Sequence, residues 1–111
     1  MLYLSNAFSI QMLSINTKLS FSRISTSEAQ ILTHDAIQNN IFQGAIGHAD
    51  TANVVANELG ISLNLNNRIS LKLTKSDILI VAQLIGGRLP EGTTTLPEGF
   101  KIEYWLVQDL D

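Results

Sequence analysis

A run of four apolar residues late in the chain constrains the fold more than any other feature. Ile78, Leu79, Ile80 and Val81 lie within residues 77–84 and leave no polar residue for a solvent-exposed face. Such a strand is typical of the middle of a sheet whose two faces are both covered. The run therefore predicts a central β-strand with other parts of the chain packed on each side.

Shorter patterns predict the strands around it. Good strand-forming residues begin the chain, and an alternating stretch follows a predicted turn at Asn16-Thr17-Lys18. A later alternation, interrupted by Asn66-Asn67, predicts a β-hairpin. The predicted strands are residues 1–7, 19–24, 61–65, 69–73 and 101–107.

The first predicted helix is marked by its start. Ser25 and Glu28 fit a capping box, in which a serine and a glutamate three residues later satisfy N–H groups at the helix start. We expect this helix to run to about His34. Residues 35–42 are polar and fit neither a helix nor a strand pattern.

The second predicted helix, residues 49–59, is the clearer one. Its apolar residues recur at helical spacing. Gly47 precedes it, and Gly60 follows where a glycine stop is expected. With five or six strands and two or three helices, the chain is predicted to be an α+β domain.

Composition limits the size and the partners of this domain. The 111 residues suffice for one domain, residues 1–111, and are too few for two. Only 15% of the residues are charged, against about a quarter in typical soluble proteins, so we expect a partner subunit to cover part of the surface. A net charge of -3 disfavours long nucleic acid, which requires many Lys and Arg contacts.

We expect no targeting signal at the start of the sequence. Its apolar N-terminal stretch lacks an early Lys or Arg and is too short and interrupted for a signal peptide or a membrane span. It has no cysteine, which excludes disulfides and zinc–thiolate sites. We therefore expect a cytoplasmic protein that does not act at a membrane.

The first candidate site is the junction Ile46-Gly47-His48 in front of the second helix. The first N–H groups of a helix lack partners within it and, with the helix dipole, favour bound phosphate. Gly47 would let a ligand approach the backbone beside Ile46, and His48 could donate a proton there. Alternatively, His48 only caps the helix or lies on the surface. His48 and Asp50 lack a third metal ligand, so no metal site is predicted.

Two further pairs of polar residues could bind a nucleotide. Arg88 could hold a phosphate and Glu91 could orient a nucleophile, or the two could form a solvated ion pair. The amides of Asn6 and Gln83 could read a base or a ribose, or could satisfy nearby backbone groups.

Four motifs, taken in order, resemble a known family. They are Leu4-Ser5-Asn6-Ala7-Phe8-Ser9, then Ala45-Ile46-Gly47-His48 with Thr51-Ala52, then Asn67-Arg68, and last Arg88-Leu89-Pro90-Glu91-Gly92. Over nearly its whole length the chain is similar to a small viral and bacterial family, long described as a domain of unknown function, that includes the type III anti-CRISPR ring nucleases.

The resemblance implies a homodimer built on a mixed sheet of about five strands flanked by helices. It implies an enzyme that binds cyclic tetra-adenylate across the dimer and cleaves it to linear di-adenylate without metal or cofactor, which would switch off type III CRISPR signalling. The family's catalytic residues fall on His48, Arg88 and Glu91, and its ligand-contacting amides on Asn6 and Gln83. The spacing from Gln83 to Arg88 is one residue longer here than in the family's pattern.

Three other functions stay open on the sequence. A non-catalytic dimer that only binds cyclic oligoadenylate would share Asn6 and Arg88 but would not need His48. A dimeric nucleic-acid-binding regulator could use Arg68, Arg88 and nearby lysines, although the acidic balance weighs against it. In a structural protein without a ligand, the same motifs would serve packing and capping.

Overall fold

The computed structural model describes residues 1–14 and 17–110, and within them one mixed β-sheet carries two α-helices on one face. The elements are β1 (Leu2–Ser5), a 3₁₀ helix (Ile10–Met12), β2 (Leu19–Ile24), α1 (Thr26–Gln38), β3 (Phe42–Gly44), α2 (Ala49–Leu59), β4 (Ile78–Ile85) and β5 (Lys101–Asp109). The strand order is β2-β5-β4-β1-β3. β1 is parallel to β3 and β4, and β5 is antiparallel to β2 and β4. The predicted α+β fold with a mixed sheet of about five strands is confirmed.

The predicted central strand is confirmed as β4. It lies between β5 and β1 and pairs with both. Its residues 79–82 are all buried. Ile80 and Ala82 belong to the core beneath the helices, whereas Leu79 and Val81 belong to a cluster on the opposite face. An unbroken apolar run arises because both faces of this strand are covered.

Helix α1 begins as predicted and ends later. The Ser25 hydroxyl accepts from Glu28 N, and the Glu28 carboxylate accepts from Ser25 N, which completes the capping box. The helix continues to Gln38, four residues past His34. In this last part of the helix Asp35 and Gln38 are exposed, whereas Ala36 is 2% exposed in the core and Ile37 packs against it partly buried.

Helix α2 has the predicted bounds, and Gly60 ends it in the left-handed conformation at φ 67°. That conformation suits glycine because it has no Cβ to clash with the carbonyl that follows. The buried residues Ala52, Val55 and Leu59 lie on one helix face against the sheet.

The predicted β-hairpin is wrong, because residues 61–77 form no strand. Several of their backbone groups bond to distant parts of the chain. The Ile46 N–H donates to the Leu65 carbonyl, and the Leu73 N–H donates to the Met12 carbonyl. Backbone groups satisfied in this way have no need of a hairpin ladder.

The apolar alternation in this segment has another cause. Leu65 is 1% exposed and packs in the core beneath the helices, whereas Leu71 is 7% exposed and packs in the cluster on the other face of the sheet. The segment therefore passes from one face of the sheet to the other, and each apolar side chain enters the core that lies nearest.

The shortest strands were poorly defined by sequence. β3 spans only Phe42–Gly44 and lies at the end of the stretch that fitted neither pattern. The first strand was predicted over residues 1–7, but β1 ends at Ser5, so Asn6 follows the strand. The turn predicted at Asn16 lies outside the described residues.

The two faces of the sheet are covered differently. Both helices cover one face, and the second face carries a smaller cluster that includes Tyr3, Leu79, Val107 and Trp105. Residues 71–73 and the 3₁₀ helix cover only part of that face, so Phe21 stays 51% exposed. Within the described residues, no helix is long and apolar enough to cross a membrane.

Candidate functional site

His48 lies where the chain leaves β3 and enters α2. The Ala45 N–H donates to the Leu4 carbonyl, which continues the pairing of β3 with β1 past the end of the strand. His48 then takes the N-cap position, and its carbonyl accepts from Ala52 N. Its imidazole is exposed and makes no capping hydrogen bond, so the capping alternative is not realised.

Ile46 and Gly47 set the direction of this turn. Ile46 is fully buried, its N–H donates to Leu65, and its carbonyl accepts from Asn67 N. Its side chain and both backbone groups are therefore engaged within the fold, and it acts as an anchor for the residues that follow. The Gly47 carbonyl faces outward and accepts from Arg68 Nε at 2.8 Å.

The His48 cleft is a concave site of about 410 Å³ in front of α2. It brings together the end of β3 and the segment that follows α2. The lining includes Ala45, Gly47, His48, Asn67, Arg68 and Ser70.

Arg68 lines the His48 cleft, a position that the predicted hairpin did not give it. The hydrogen bond from Nε to Gly47 holds the guanidinium beside the helix start, and the described residues provide it with no carboxylate partner. No local signal identifies this role, since Gly47 and Arg68 are 21 residues apart.

The amides predicted to bind the ligand lie in a second cleft, the aromatic cleft, of about 390 Å³. It lies on the second face of the sheet and shares no lining residue with the His48 cleft. Its lining includes Asn6, Phe8, Phe21, Val81, Gln83 and Trp105. Within one chain, therefore, Asn6 and Gln83 lie together but apart from His48.

Arg88 and Glu91 lie in the loop that joins β4 to β5. Both are exposed, and no hydrogen bond or ion pair joins either side chain to another described residue. The solvated Arg88–Glu91 ion pair is therefore not formed. The loop leaves the carboxyl end of β4. Because β1, β3 and β4 are parallel, Asn6 and the turn to His48 lie toward the same end of the sheet, although β4 continues four residues past Val81, the partner of Ser5.

The second histidine, His34, has a contact within the fold. His34 Nε2 lies 2.7 Å from the Leu59 carbonyl and joins α1 to the end of α2. In the part of the chain that the structure describes, no three His, Cys, Asp or Glu side chains are grouped as metal ligands.

Comparisons with known proteins place the chain in context. The sequence model of the family described as STIV B116-like matches residues 2–106. The fold is similar to that of B116 of Sulfolobus turreted icosahedral virus, with a TM-score of 0.84 and 27% sequence identity, over 96% of this chain and 97% of that one. A search of curated proteins finds no match.

Proposed function

The chain belongs to the STIV B116-like family, and from this premise we propose that it is a ring nuclease that binds cyclic tetra-adenylate and cleaves it to linear di-adenylate without a metal. One observation carries the proposal. An exposed histidine, not used for capping, faces the same cleft as an anchored arginine at the start of a helix.

This arrangement suits a phosphate. The N-terminal N–H groups of α2 and the helix dipole favour an anion. The Nη groups of Arg68 can donate two hydrogen bonds to phosphate oxygens while Nε stays on Gly47. A bound phosphate also favours the charged imidazolium of His48, since opposite charges stabilise each other.

The chemistry follows from RNA itself. A ribose 2′-oxygen attacks the adjacent phosphorus and loses its proton to water, a new P–O2′ bond forms, and the P–O5′ bond breaks. The leaving 5′-oxygen takes a proton from the His48 imidazolium, and the product ends in a 2′,3′-cyclic phosphate. General acid catalysis of this kind contributes about 10²–10⁴-fold.

Arg88 and Glu91 complete the proposed site from the loop between β4 and β5. Their unpaired side chains at this edge of the sheet support roles in stabilising the phosphorane and positioning a catalytic group. The ring carries four phosphates, so a two-fold dimer would offer each group twice to opposite parts of the ring.

The test compares wild type with His48→Ala, incubated with cyclic tetra-adenylate in excess EDTA. We expect wild type to yield linear di-adenylate and His48→Ala to bind the ring but cleave it about a hundredfold more slowly. His34→Ala is the matched control. It removes the other histidine, whose contact with Leu59 is structural, and should keep the cleavage rate.

The remaining outcomes separate the alternatives. A wild type that binds the ring but leaves it intact is a non-catalytic cyclic-oligoadenylate binder. A wild type that neither binds nor cuts contradicts the proposal and moves attention to the nucleic-acid-binding regulator, whose binding would weaken steeply with salt.

A further inference from the structure

The backbone that leads from β3 to His48 is held on both of its sides. On one side, the Ala45 N–H donates to the Leu4 carbonyl of β1. On the other side lies the segment of residues 65–68, which we call the cross-segment. β3 has three residues and lies at the edge of the sheet, so pairing with β1 alone would leave its other side open. The cross-segment covers this side where the turn begins.

Two backbone hydrogen bonds join the cross-segment to the turn. The Ile46 N–H donates to the Leu65 carbonyl at 3.1 Å, and the Asn67 N–H donates to the Ile46 carbonyl at 2.9 Å. Together they pair Ile46 with Asn66 in parallel. The cross-segment therefore extends the sheet past its edge strand for the length of one residue pair.

The close approach of the two segments requires a glycine. A Cβ on Gly44 would lie 2.9 Å from the Leu65 Cα and 3.3 Å from the Leu65 carbonyl oxygen. These are backbone atoms, and Leu65 is 1% exposed in the core beneath the helices, so the cross-segment could not move aside without losing that packing. The cross-segment is thus packed directly against the end of β3.

Asn67 is the residue of the cross-segment that binds the turn through both its backbone and its amide. In addition to the bond from its N–H to Ile46, its Nδ2 donates to the Gly44 carbonyl at 3.3 Å. Asn67 therefore holds two carbonyls, one at the end of β3 and one in the turn. Its neighbour Asn66 is exposed, whereas Asn67 is half-buried.

The position of His48 depends on this backbone. The imidazole is exposed, and no hydrogen bond within the described residues holds it. A proton donor has to lie within hydrogen-bond reach of the oxygen that it protonates, and a misplacement of about 1 Å can cost about a hundredfold in rate. The place of the imidazole in the cleft is therefore set by the residues that fix positions 44–47.

We propose that Asn67 is a positioning residue for proton transfer: by holding the carbonyls of Gly44 and Ile46, it fixes the place of His48 in the cleft. This inference rests on the proposed function. Both hydrogen bonds of Asn67 go to the backbone that leads to His48. Asn67 therefore acts on the rate of the cleavage step and not on the affinity for the ring.

Two measurements separate rate from affinity. Single-turnover cleavage of cyclic tetra-adenylate, with protein in excess, gives the rate constant of the bound ring, and calorimetry in the His48→Ala background gives the affinity. We expect Asn67→Ala to slow cleavage by about tenfold or more and to leave the affinity unchanged. Asn66→Ala is the matched control, because it removes the same side chain from the adjacent exposed position and keeps the backbone bonds. It should cleave at the wild-type rate.

A double-mutant cycle distinguishes positioning from a general effect on the structure. Residues that act as a unit have non-additive effects on rate. If Asn67 acts through His48, Asn67→Ala should slow the wild type but should not slow His48→Ala protein any further. A merely structural loss would lower the thermal midpoint and slow cleavage by the same factor in both backgrounds.

The outcomes also separate this inference from the proposed function. Equal slowing in both backgrounds, a loss of affinity that matches the loss of rate, or equal slowing by Asn66→Ala overturns the positioning role and leaves the ring nuclease standing. Cleavage by Asn67→Ala at the wild-type rate does the same. A wild type that does not cleave the ring overturns the proposed function and the positioning role with it.

Discussion

A single hydrogen bond orders Arg68 for the phosphate-binding role that we propose. An exposed arginine ordinarily samples many rotamers, and ordering it costs conformational entropy on binding. Here the bond from Nε to the Gly47 carbonyl holds the guanidinium in advance. The planar group can then meet a phosphate with its remaining N–H donors, which a lysine could not do while holding Gly47.

Removal of this side chain should weaken the ring complex. We expect Arg68→Ala to lower affinity for cyclic tetra-adenylate by about tenfold or more, since a charge-assisted hydrogen bond contributes about 1.5–3 kcal/mol, and Arg68→Lys to lie between. Calorimetry in the His48→Ala background measures it. Lys18→Ala removes an exposed cation elsewhere. An equal loss in that control would show a general charge effect and contradict the assigned role.

Tyr104 makes a second residue-scale prediction. It is 1% exposed, and its hydroxyl has no hydrogen-bond partner among the described residues. An unsatisfied buried hydroxyl costs about 1–3 kcal/mol, so we expect Tyr104→Phe to raise the free energy of unfolding by about 1 kcal/mol at pH 7. Urea unfolding measures this, and a loss of stability would show that the hydroxyl has a stabilising partner.

The Tyr104 hydroxyl should also make the free energy of unfolding depend on pH. Burial, and next the charge of Glu58, raise the pKa of Tyr104 above its usual range. Above about pH 10, where tyrosine ionises in the unfolded chain, the folded state keeps a proton that the unfolded state loses. The contribution of Tyr104 to stability therefore falls as pH rises past 10. Wild type should lose more stability from pH 9 to 11 than Tyr104→Phe does.

At the scale of elements, α1 and α2 form a unit that orients the start of α2. The end of α2 is satisfied by α1, because His34 contacts the Leu59 carbonyl and Gln30 Nε2 donates to the Glu58 carbonyl at 3.0 Å. The other end of α2 opens on the His48 cleft. Its first N–H groups, which lack partners within the helix, therefore lie at the cleft where the proposed phosphate would bind.

The capping box at the start of α1 should contribute to the stability of the protein. We expect Ser25→Ala to lower the free energy of unfolding by about 1 kcal/mol, because the Glu28 N–H loses its acceptor. Ser27→Ala, in the exposed first turn, should change stability little. Denaturant unfolding of both variants checks the prediction. Similar values for the two would mean that the cap contributes nothing beyond helix propensity.

At the scale of the molecule, one chain holds the pieces of the proposed site without closing it. The His48 cleft and the aromatic cleft are separate, and Arg88 and Glu91 line neither. Two copies of the chain would surround the cyclic ligand from both sides, which is the closed symmetry expected of a homodimer.

The proposed dimer would have a defined stoichiometry. We expect sedimentation to give twice the 12.2 kDa of one chain and calorimetry with the His48→Ala variant to give one ring bound per two chains. One ring per chain, on a monomer, would contradict the shared site. Ring binding should also raise the thermal midpoint, since a ligand of the native state stabilises it by mass action.

Features that depend on nearby residues could be predicted from the sequence. The capping box of Ser25 and the stop at Gly60 are local, because each involves residues within one helical turn. The central strand was also predictable, since burial on both faces removes every polar residue from the run at 78–81. The helix start at His48 was predictable because its signals are local, whereas the catalytic role of His48 came from the family resemblance and stays a prediction.

Tertiary structure decided whatever depends on a distant partner. Residues 61–77 had the apolar alternation of a hairpin, yet their backbone groups bond to Ile46 and Met12, because those partners and two separate cores lie within reach. The same path brings Arg68 to Gly47. The register of β2, β5 and β4 brings together the side chains that line the aromatic cleft. The sequence by itself determined the elements whose hydrogen bonds and burial are local, and only the fold decided which of them meet.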